Sequence, residues 1–263
     1  MRIKNPLCAE AQRVMTWDDT FTFRCYPGID CFNSCCRDVT IFLHSLDVIN
    51  LRRRLGMNSE DFLEQYTHIV VSPTSGLPAV VLRMQENEAK TCPFVTPQGC
   101  SVYEDRPYSC RLYPLDTEQG VEYTFIVSAE RCHGLRESEM WTVERWRKEE
   151  GLYAYDDPDH NLKDVMHADQ QWEQKIADPR MQDMYLMALY DLDRFREFVF
   201  KSTFLHKFRV DDDILERIKT DDLALLYFAA QWLRFVLFGK KGFLKIEPEY
   251  LDRKKKEILD CQE

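Results

Sequence analysis

Eight of the ten cysteines in this 263-residue chain fall between Cys25 and Cys132. The first four are Cys25, Cys31, Cys35 and Cys36, in RCYPGIDCFNSCCRD, with five, three and no residues between them. The second four are Cys92, Cys100, Cys110 and Cys132, in CPFVTPQGCSVYEDRPYSCRLYP and ERCHG, separated by seven, nine and twenty-one residues. Thiolates are soft donors that select zinc, copper(I) and iron–sulfur clusters. Four of them close a tetrahedral zinc at about 2.3 Å or hold one iron–sulfur cluster. Structural zinc sites usually show two C-x(2–4)-C knuckles. Here only Cys31 and Cys35 have that spacing. The irregular gaps favour an iron–sulfur cluster, whose ligands come from scattered loops, with zinc as the alternative. On an extended backbone the neighbours Cys35 and Cys36 point to opposite faces. They could then serve two metals, or one could ligate while the other is a supporting or redox thiol.

The residues around the cysteines suit a thiolate site. Arg24, Arg37, Arg111 and Arg131 each adjoin a cysteine, and a neighbouring cation favours the thiolate. Turn residues at Pro27-Gly28, Asn33-Ser34 and Pro97-Gln98-Gly99 let backbone N–H groups point at sulfur, which tunes a cluster. His133, next to Cys132, is a possible substitute ligand. The other histidines stand alone. Glu104, Asp105 and Arg106 read as a local ion pair in a turn. The competing reading of the cysteines as small buried hydrophobes fits one or two of them better than eight. The chain carries no G-x-G-x-x-G, P-loop, G-x-S-x-G or H-E-x-x-H motif. It also lacks the C-x(3)-C-x(2)-C spacing usual for radical chemistry with S-adenosylmethionine.

Composition narrows the setting. There are 35 Lys+Arg against 45 Asp+Glu, a net charge of −10, which argues against a general nucleic-acid binder. With 44% hydrophobic and 30% charged residues the chain is of ordinary globular composition and long enough to bury a core. No signal-peptide pattern opens it. Its strongest apolar run, Leu223 to Phe238, is 16 residues long and contains Gln231 and Arg234. That is short of the roughly 20 residues of a membrane span, so it reads as a buried helix. The expected location is cytoplasmic, where clustered cysteines bind metal or do redox work more often than they form disulfides. Cys8 and Cys261 lie apart from the clusters and read as free thiols.

The elements that position these residues read as an α+β protein. A cysteine-rich N-terminal unit with short strands and helices is expected over 1–137, and an all-helical unit over 138–263. Thr20–Cys25 alternates like a half-buried strand. Ser45 can cap a helix over Leu46–Leu55 that Gly56 ends, and Ser59 can cap Glu60–Tyr66. Ile69–Val71 and Ala79–Met84 read as a hairpin around SPTSGLP, and Glu122–Val127 as a further strand. Helices are expected over Glu137–Glu150, Leu162–Ile176, Gln182–Phe204, Asp212–Ile218 and Asp221–Phe238. Asp157-Pro158-Asp159 and Asp178-Pro179 are the expected breaks and helix starts. The basic run Arg253–Lys256 reads as a solvated helix face.

The cysteine blocks resemble those of the CxxCxxCC, or YkgJ-like, family, described as a zinc- or iron-chelating domain. The resemblance rests on Cys31-Phe-Asn-Ser-Cys35-Cys36, on Cys92-Pro93-Phe94, on Gly99-Cys100-Ser101-Val102-Tyr103-Glu104-Asp105-Arg106-Pro107, and on Cys110-Arg111-Leu112-Tyr113-Pro114. It covers roughly residues 23–134 and leaves the helical half aside. The first block here, C-x(5)-C-x(3)-C-C, is wider than the family's nominal spacing. The resemblance implies metal binding. The family includes flagellin lysine N-methylases, so a protein-modifying enzyme using S-adenosylmethionine is a second reading. A non-catalytic redox or iron sensor is a third. In each, the helical half would offer a surface for a protein substrate or partner.

Overall fold

The computed structural model describes residues 13–73, 76–117, 120–166, 178–239, 244–248 and 250. Cys8, Cys261 and the Arg253–Lys256 run lie outside them. The fold is α+β. Short strand pairs and helices make up the first part, and helices dominate from Pro179 to Phe238.

The chain opens on β1 (Thr20–Thr22), followed by a 3-10 turn at Ser34–Cys36, α1 (Ser45–Leu55) and α2 (Ser59–Tyr66). Gly56, at φ +67°, ends α1 as expected. The caps differ from expectation. The Ser45 hydroxyl is buried without a hydrogen-bond partner, while Asp47 Oδ2 accepts from the His44 amide at 2.8 Å. In α2 the cap is Asn58, which accepts from the Asp61 amide at 2.8 Å. β2 (Thr67–Val71) pairs with β3 (Pro78–Leu82), the expected hairpin.

The short pair β4 (Val95–Thr96) and β5 (Gly99–Cys100) leads into α3 (Tyr108–Leu112). β6 (Leu115–Thr117) and β7 (Tyr123–Phe125) form an antiparallel hairpin. The expected helix over Glu137–Glu150 is only half present. Its first part is β8 (Met140–Thr142), antiparallel to β1 with Trp141 opposite Phe21. α4 covers Val143–Glu149, with the Thr142 hydroxyl accepting from the Arg145 amide. The demand of β1 for a partner outweighs local helix propensity there. The aromatic core explains why. Trp146 meets Phe21 at 5.9 Å and Phe23 at 5.4 Å, both edge-on, and Leu112, Leu115, Tyr123 and Cys132 are buried in the same cluster. Each such ring pair contributes about 0.5–1.5 kcal/mol beyond its area burial.

α5 (Tyr153–Met166) runs through Pro158, where a break was expected. Asp178 and Pro179 do start a helix, α6 (Pro179–Leu189), with Asp178 accepting from the Arg180 amide at 2.9 Å. The expected helix over Gln182–Phe204 is divided. Asp191 caps a new helix, α7 (Leu192–Lys201), and α8 (Phe204–Lys207) follows. β9 (Phe208–Arg209), α9 (Asp212–Ile218), α10 (Asp222–Phe238) and β10 (Lys245–Ile246) complete the order. Leu225, Ala229, Ala230 and Leu233 of α10 are fully buried. Among the described residues no helix is long and apolar enough to cross a membrane.

Two compact units emerge, and neither is continuous in sequence. One comprises residues up to Asp47 together with Val81–Asp157. The other joins Val48–Val80 to the chain from Pro158 onward. All eight clustered cysteines belong to the first.

Candidate metal centre

Short hydrogen-bonded turns hold each cysteine. Cys25 leaves β1 one residue after Arg24, whose amide donates to Gly134 O at 3.1 Å. The Ser34 amide donates to Cys31 O at 2.9 Å and the Cys36 amide to Asn33 O at 3.1 Å. Asn33 sits at φ +65°, in the left-handed region that Asn tolerates, and its side-chain amide donates to Thr96 O at 2.9 Å. The Cys92 amide donates to Cys36 O at 2.8 Å, beside a bridge between Arg37 and Thr91. Cys100 lies opposite Val95 in the β4–β5 pair. Cys110 rides on α3, whose first amide, Tyr108, donates to Asp47 Oδ1 at 2.9 Å. The Cys132 amide donates to Ser128 O at 2.9 Å.

These turns bring all eight sequence-predicted cysteines into one unit as free thiols. Cys92 and Cys132 are buried, Cys25 and Cys35 are exposed, and the rest are half-buried. Cys35 and Cys36 occupy a 3-10 turn rather than the extended backbone first envisaged. Residues 24–133 match a family model, CxxCxxCC, whose description is "Putative zinc- or iron-chelating domain". Every one of the eight cysteines lies inside that span. No curated protein and no solved structure matches the chain.

The electrostatics around these cysteines differ from the sequence expectation. The arginines flanking the cysteines were expected to favour thiolates. Instead burial pushes Cys25 up to about 11 and raises Cys92, Cys100, Cys110 and Cys132, with neighbouring thiols adding to the shift. Cys35 runs the other way, lowered to about 7 because the Cys36 S–H donates to it, and Cys36 is raised correspondingly. Arg24 is drawn off to Glu139 at 3.8 Å and lies over the Tyr26 ring at 5.2 Å. Arg111 donates to three backbone carbonyls, at Glu104, Arg106 (2.9 Å) and Glu150 (3.0 Å). The charge of Arg106 partly offsets the burial of Cys100. Arg106 pairs with Glu150, 44 residues on, and stacks over Tyr103 at 3.8 Å.

Other groups support the sulfurs. The His133 amide, not its imidazole, meets the site, donating to Cys31 Sγ at 3.3 Å. The His133 ring faces Asp30 at 3.8 Å. The Tyr113 hydroxyl donates to Cys132 and holds that thiol lower than burial alone would. Asp47, Glu150 and Tyr113 were not singled out as site residues by sequence reasoning. Only Tyr113 carried a signal, as part of the CRLYP stretch.

The donor set fits a metal. Soft sulfur donors come from several segments, backed by N–H and O–H groups, as thiolate-bound metals require. Among the described residues no group of three or more His, Cys, Asp or Glu side chains is set to hold a metal ion as it stands.

Gly134 locks the loop beside Cys132. A Cβ there would sit 2.7 Å from Arg24 O and 2.9 Å from the Phe23 ring. Gly134→Ala must push the Cys132 loop away from the Cys25 segment. The expected result is a clear fall in metal per chain with the far-ultraviolet helical signal retained. Unchanged metal content would show that this close approach is not needed.

Proposed function

We propose that this chain is a metal-binding protein in which Cys25, Cys31, Cys35, Cys36, Cys92, Cys100, Cys110 and Cys132 supply the ligands, with an iron–sulfur cluster favoured over zinc. One observation carries the proposal: eight free thiols are gathered in one unit, and a backbone amide donates to one of them, Cys31 Sγ, at 3.3 Å. Uncharged, such a group gains little from being gathered. Ionised, it needs a cation to offset several adjacent negative charges. Irregular ligand spacing and an amide donated to sulfur favour the cluster. A bound cluster would supply electron transfer or a redox-sensitive brace, whereas zinc would supply the brace alone.

Anaerobic purification followed by metal and sulfide analysis tests this. A brown protein with broad visible absorbance and matching iron and sulfide is the expected result. Colourless protein with tightly held zinc would replace the cluster by zinc. Protein with no metal, and with every thiol reactive while folded, would overturn metal binding altogether. Cys110→Ser should lower the metal content of the purified chain to half or less. Full occupancy in that variant would remove Cys110 from the ligand set.

A further inference from the structure

Hydrogen bonding engages β3 on both of its edges. The Ser72 amide donates to Leu77 O at 2.9 Å across the β2–β3 turn, so the backbone of Leu77 faces β2. Bonding direction alternates along an antiparallel strand. Ala79 and Val81 therefore face β2 as well, and Val80 and Leu82 face away. The Leu82 amide does donate to the other side, to Ile41 O at 2.9 Å, beside the bridge between Phe42 and Val81. The same alternation on β2, counted from Ser72, turns the backbone of His68 and Val70 towards β3. The N–H and C=O groups of Ile69 and Val71 point to the opposite edge. Among the described residues no strand pairs with that edge.

The side chains of β2 are as accessible as its edge. Ile69, Val70 and Val71 are 43%, 41% and 46% exposed. Successive side chains on a strand lie on opposite faces, so three exposed in a row mean that both faces of β2 meet solvent. Val80, Val81 and Leu82 of β3 are buried by contrast. An apolar edge strand is a template for a further strand, and proteins ordinarily guard such edges with charged side chains, Pro or a bulge. Thr67–Val71, THIVV, contains no Lys, Arg, Asp, Glu or Pro.

We infer that the outer edge of β2 is a self-association surface, which pairs antiparallel with β2 of a second copy of this chain about a two-fold axis at Ile69. The same strand turned end for end is antiparallel by construction, and a two-fold contact sets one patch against itself. The register has stops at both ends. Helix α2 ends at Tyr66 and Pro73 lies two residues beyond Val71, and the strand between them is centred on Ile69. The two Ile69 residues then exchange a pair of N–H···O bonds. Val71 of each copy lies opposite Thr67 of the other, and His68 lies opposite Val70. β-Branched side chains meet β-branched ones, a favourable cross-strand pairing, and no formal charge faces another. That neutrality matters in a chain of net charge −10, whose copies repel over much of their surface. An unrelated peptide would gain the same main-chain bonds. Its specificity, however, would need pockets for alternate side chains, and a strand exposed on both faces has no walls to form them.

Sedimentation velocity of the full chain tests this, with the protein as isolated and under a reducing agent so that no disulfide joins two copies. A strand pair is a small contact, so the expected result is a reversible monomer–dimer equilibrium between about 1 and 100 µM. Its upper limit is twice the 31.3 kDa of one chain. Ile69→Lys sets like charges opposite each other across the axis, as does Ile69→Glu, and each variant alone should stay monomeric over this range. Mixed in equal amounts they should form a heterodimer, because Lys then faces Glu. Both should keep the wild-type far-ultraviolet spectrum, since Ile69 is exposed and its backbone bonds point away from β3. Should either charge unsettle the hairpin, Val71→Pro removes an outward amide without touching the β3 ladder and should abolish the dimer in its place. A wild-type chain that stays monomeric throughout overturns the inference, whatever else covers the strand. A dimer that the variants form as well as wild type puts the contact elsewhere and overturns it too. Monomeric Lys and Glu variants that fail to combine on mixing overturn the two-fold pairing at Ile69.

Discussion

Stripping the metal from the anaerobically purified chain will unfold the cysteine-bearing unit and leave the helices from Pro179 to Phe238 standing. The strands of the first unit are two or three residues long apart from β3, whose five residues cross the boundary between the units. Two-stranded pairs of that size are marginal in water. Its aromatic cluster gathers around Trp146, from β1, α3, β6, β7 and α4. The loops from Pro27 to Asp38 and from Gln85 to Asp105 contribute few buried apolar side chains, chiefly Ile29, Phe94 and Val102. Something other than hydrophobic burial must hold those loops, and metal ligation supplies about 10–16 kcal/mol of apparent free energy in small zinc-dependent folds. The helical unit buries Phe195, Phe204, Phe228, Trp232 and the small faces of Ala229 and Ala230 without any such brace. Hydrogen exchange on the full chain reads the difference. After chelation the Cys92 and Ser101 amides should lose protection by several orders of magnitude. Amides of Leu225–Leu233 should keep theirs. Unchanged protection at Cys92 and Ser101 would mean that the loops fold without metal.

The cysteine blocks and the α+β class were legible because both are local. Eight cysteines within about a hundred residues need no partner elsewhere in the chain to be noticed. The ends of α1 and α10 were legible for a similar reason, since Gly56 and Gly239 both take a positive φ there. What could not be read were arrangements set by distant segments. β8 is a strand because β1, some 120 residues earlier, pairs with it. Arg106 reaches Glu150, 44 residues on, while stacking over its neighbour Tyr103, which places the charge where burial makes it count. Flanking arginines gave a poor forecast of thiol ionisation because a side chain six bonds long goes where its hydrogen bonds are, as Arg111 does with three carbonyls. The Ser45 cap failed for a subtler reason. Asp47 Oδ1 is already engaged by the Tyr108 amide and by the Tyr155 hydroxyl at 2.7 Å, so one buried carboxylate joins the starts of α1 and α3. No window of local sequence shows that Tyr108 and Tyr155 converge on it.

Asp222→Ala will destabilise the helical unit by about 3–5 kcal/mol. Asp222 opens α10 and is nearly inaccessible, at 5% exposure. Its carboxylate meets three guanidinium groups, those of Arg52, Arg53 at 3.0 Å and Arg196 at 2.5 Å. Arg52 is itself buried, and its Nε has no hydrogen-bond partner. Arg52 also reaches Asp193 at 3.2 Å, and Asp193 accepts from the Ser59 amide at 2.9 Å. Among the described residues, removing Asp222 therefore leaves buried positive charge with one carboxylate, Asp193, shared between Arg52 and Arg196. Deleting one partner of a buried ion pair costs far more than the pair itself contributes, because the remaining charge has lost its hydration in exchange for nothing. Asp222→Asn separates charge from shape, since it keeps an acceptor oxygen but not the negative charge, and should fall between the two. An exposed pair sets the scale. Glu197 and Lys201 sit four residues apart on α7 at 2.6 Å, both well exposed, and Glu197→Ala should cost no more than about 0.5 kcal/mol. Urea denaturation of the metal-loaded chain, followed by the helical signal, measures all three variants. A cost for Asp222→Ala as small as that of Glu197→Ala would show that water reaches the arginines and that this cluster is not a buried one.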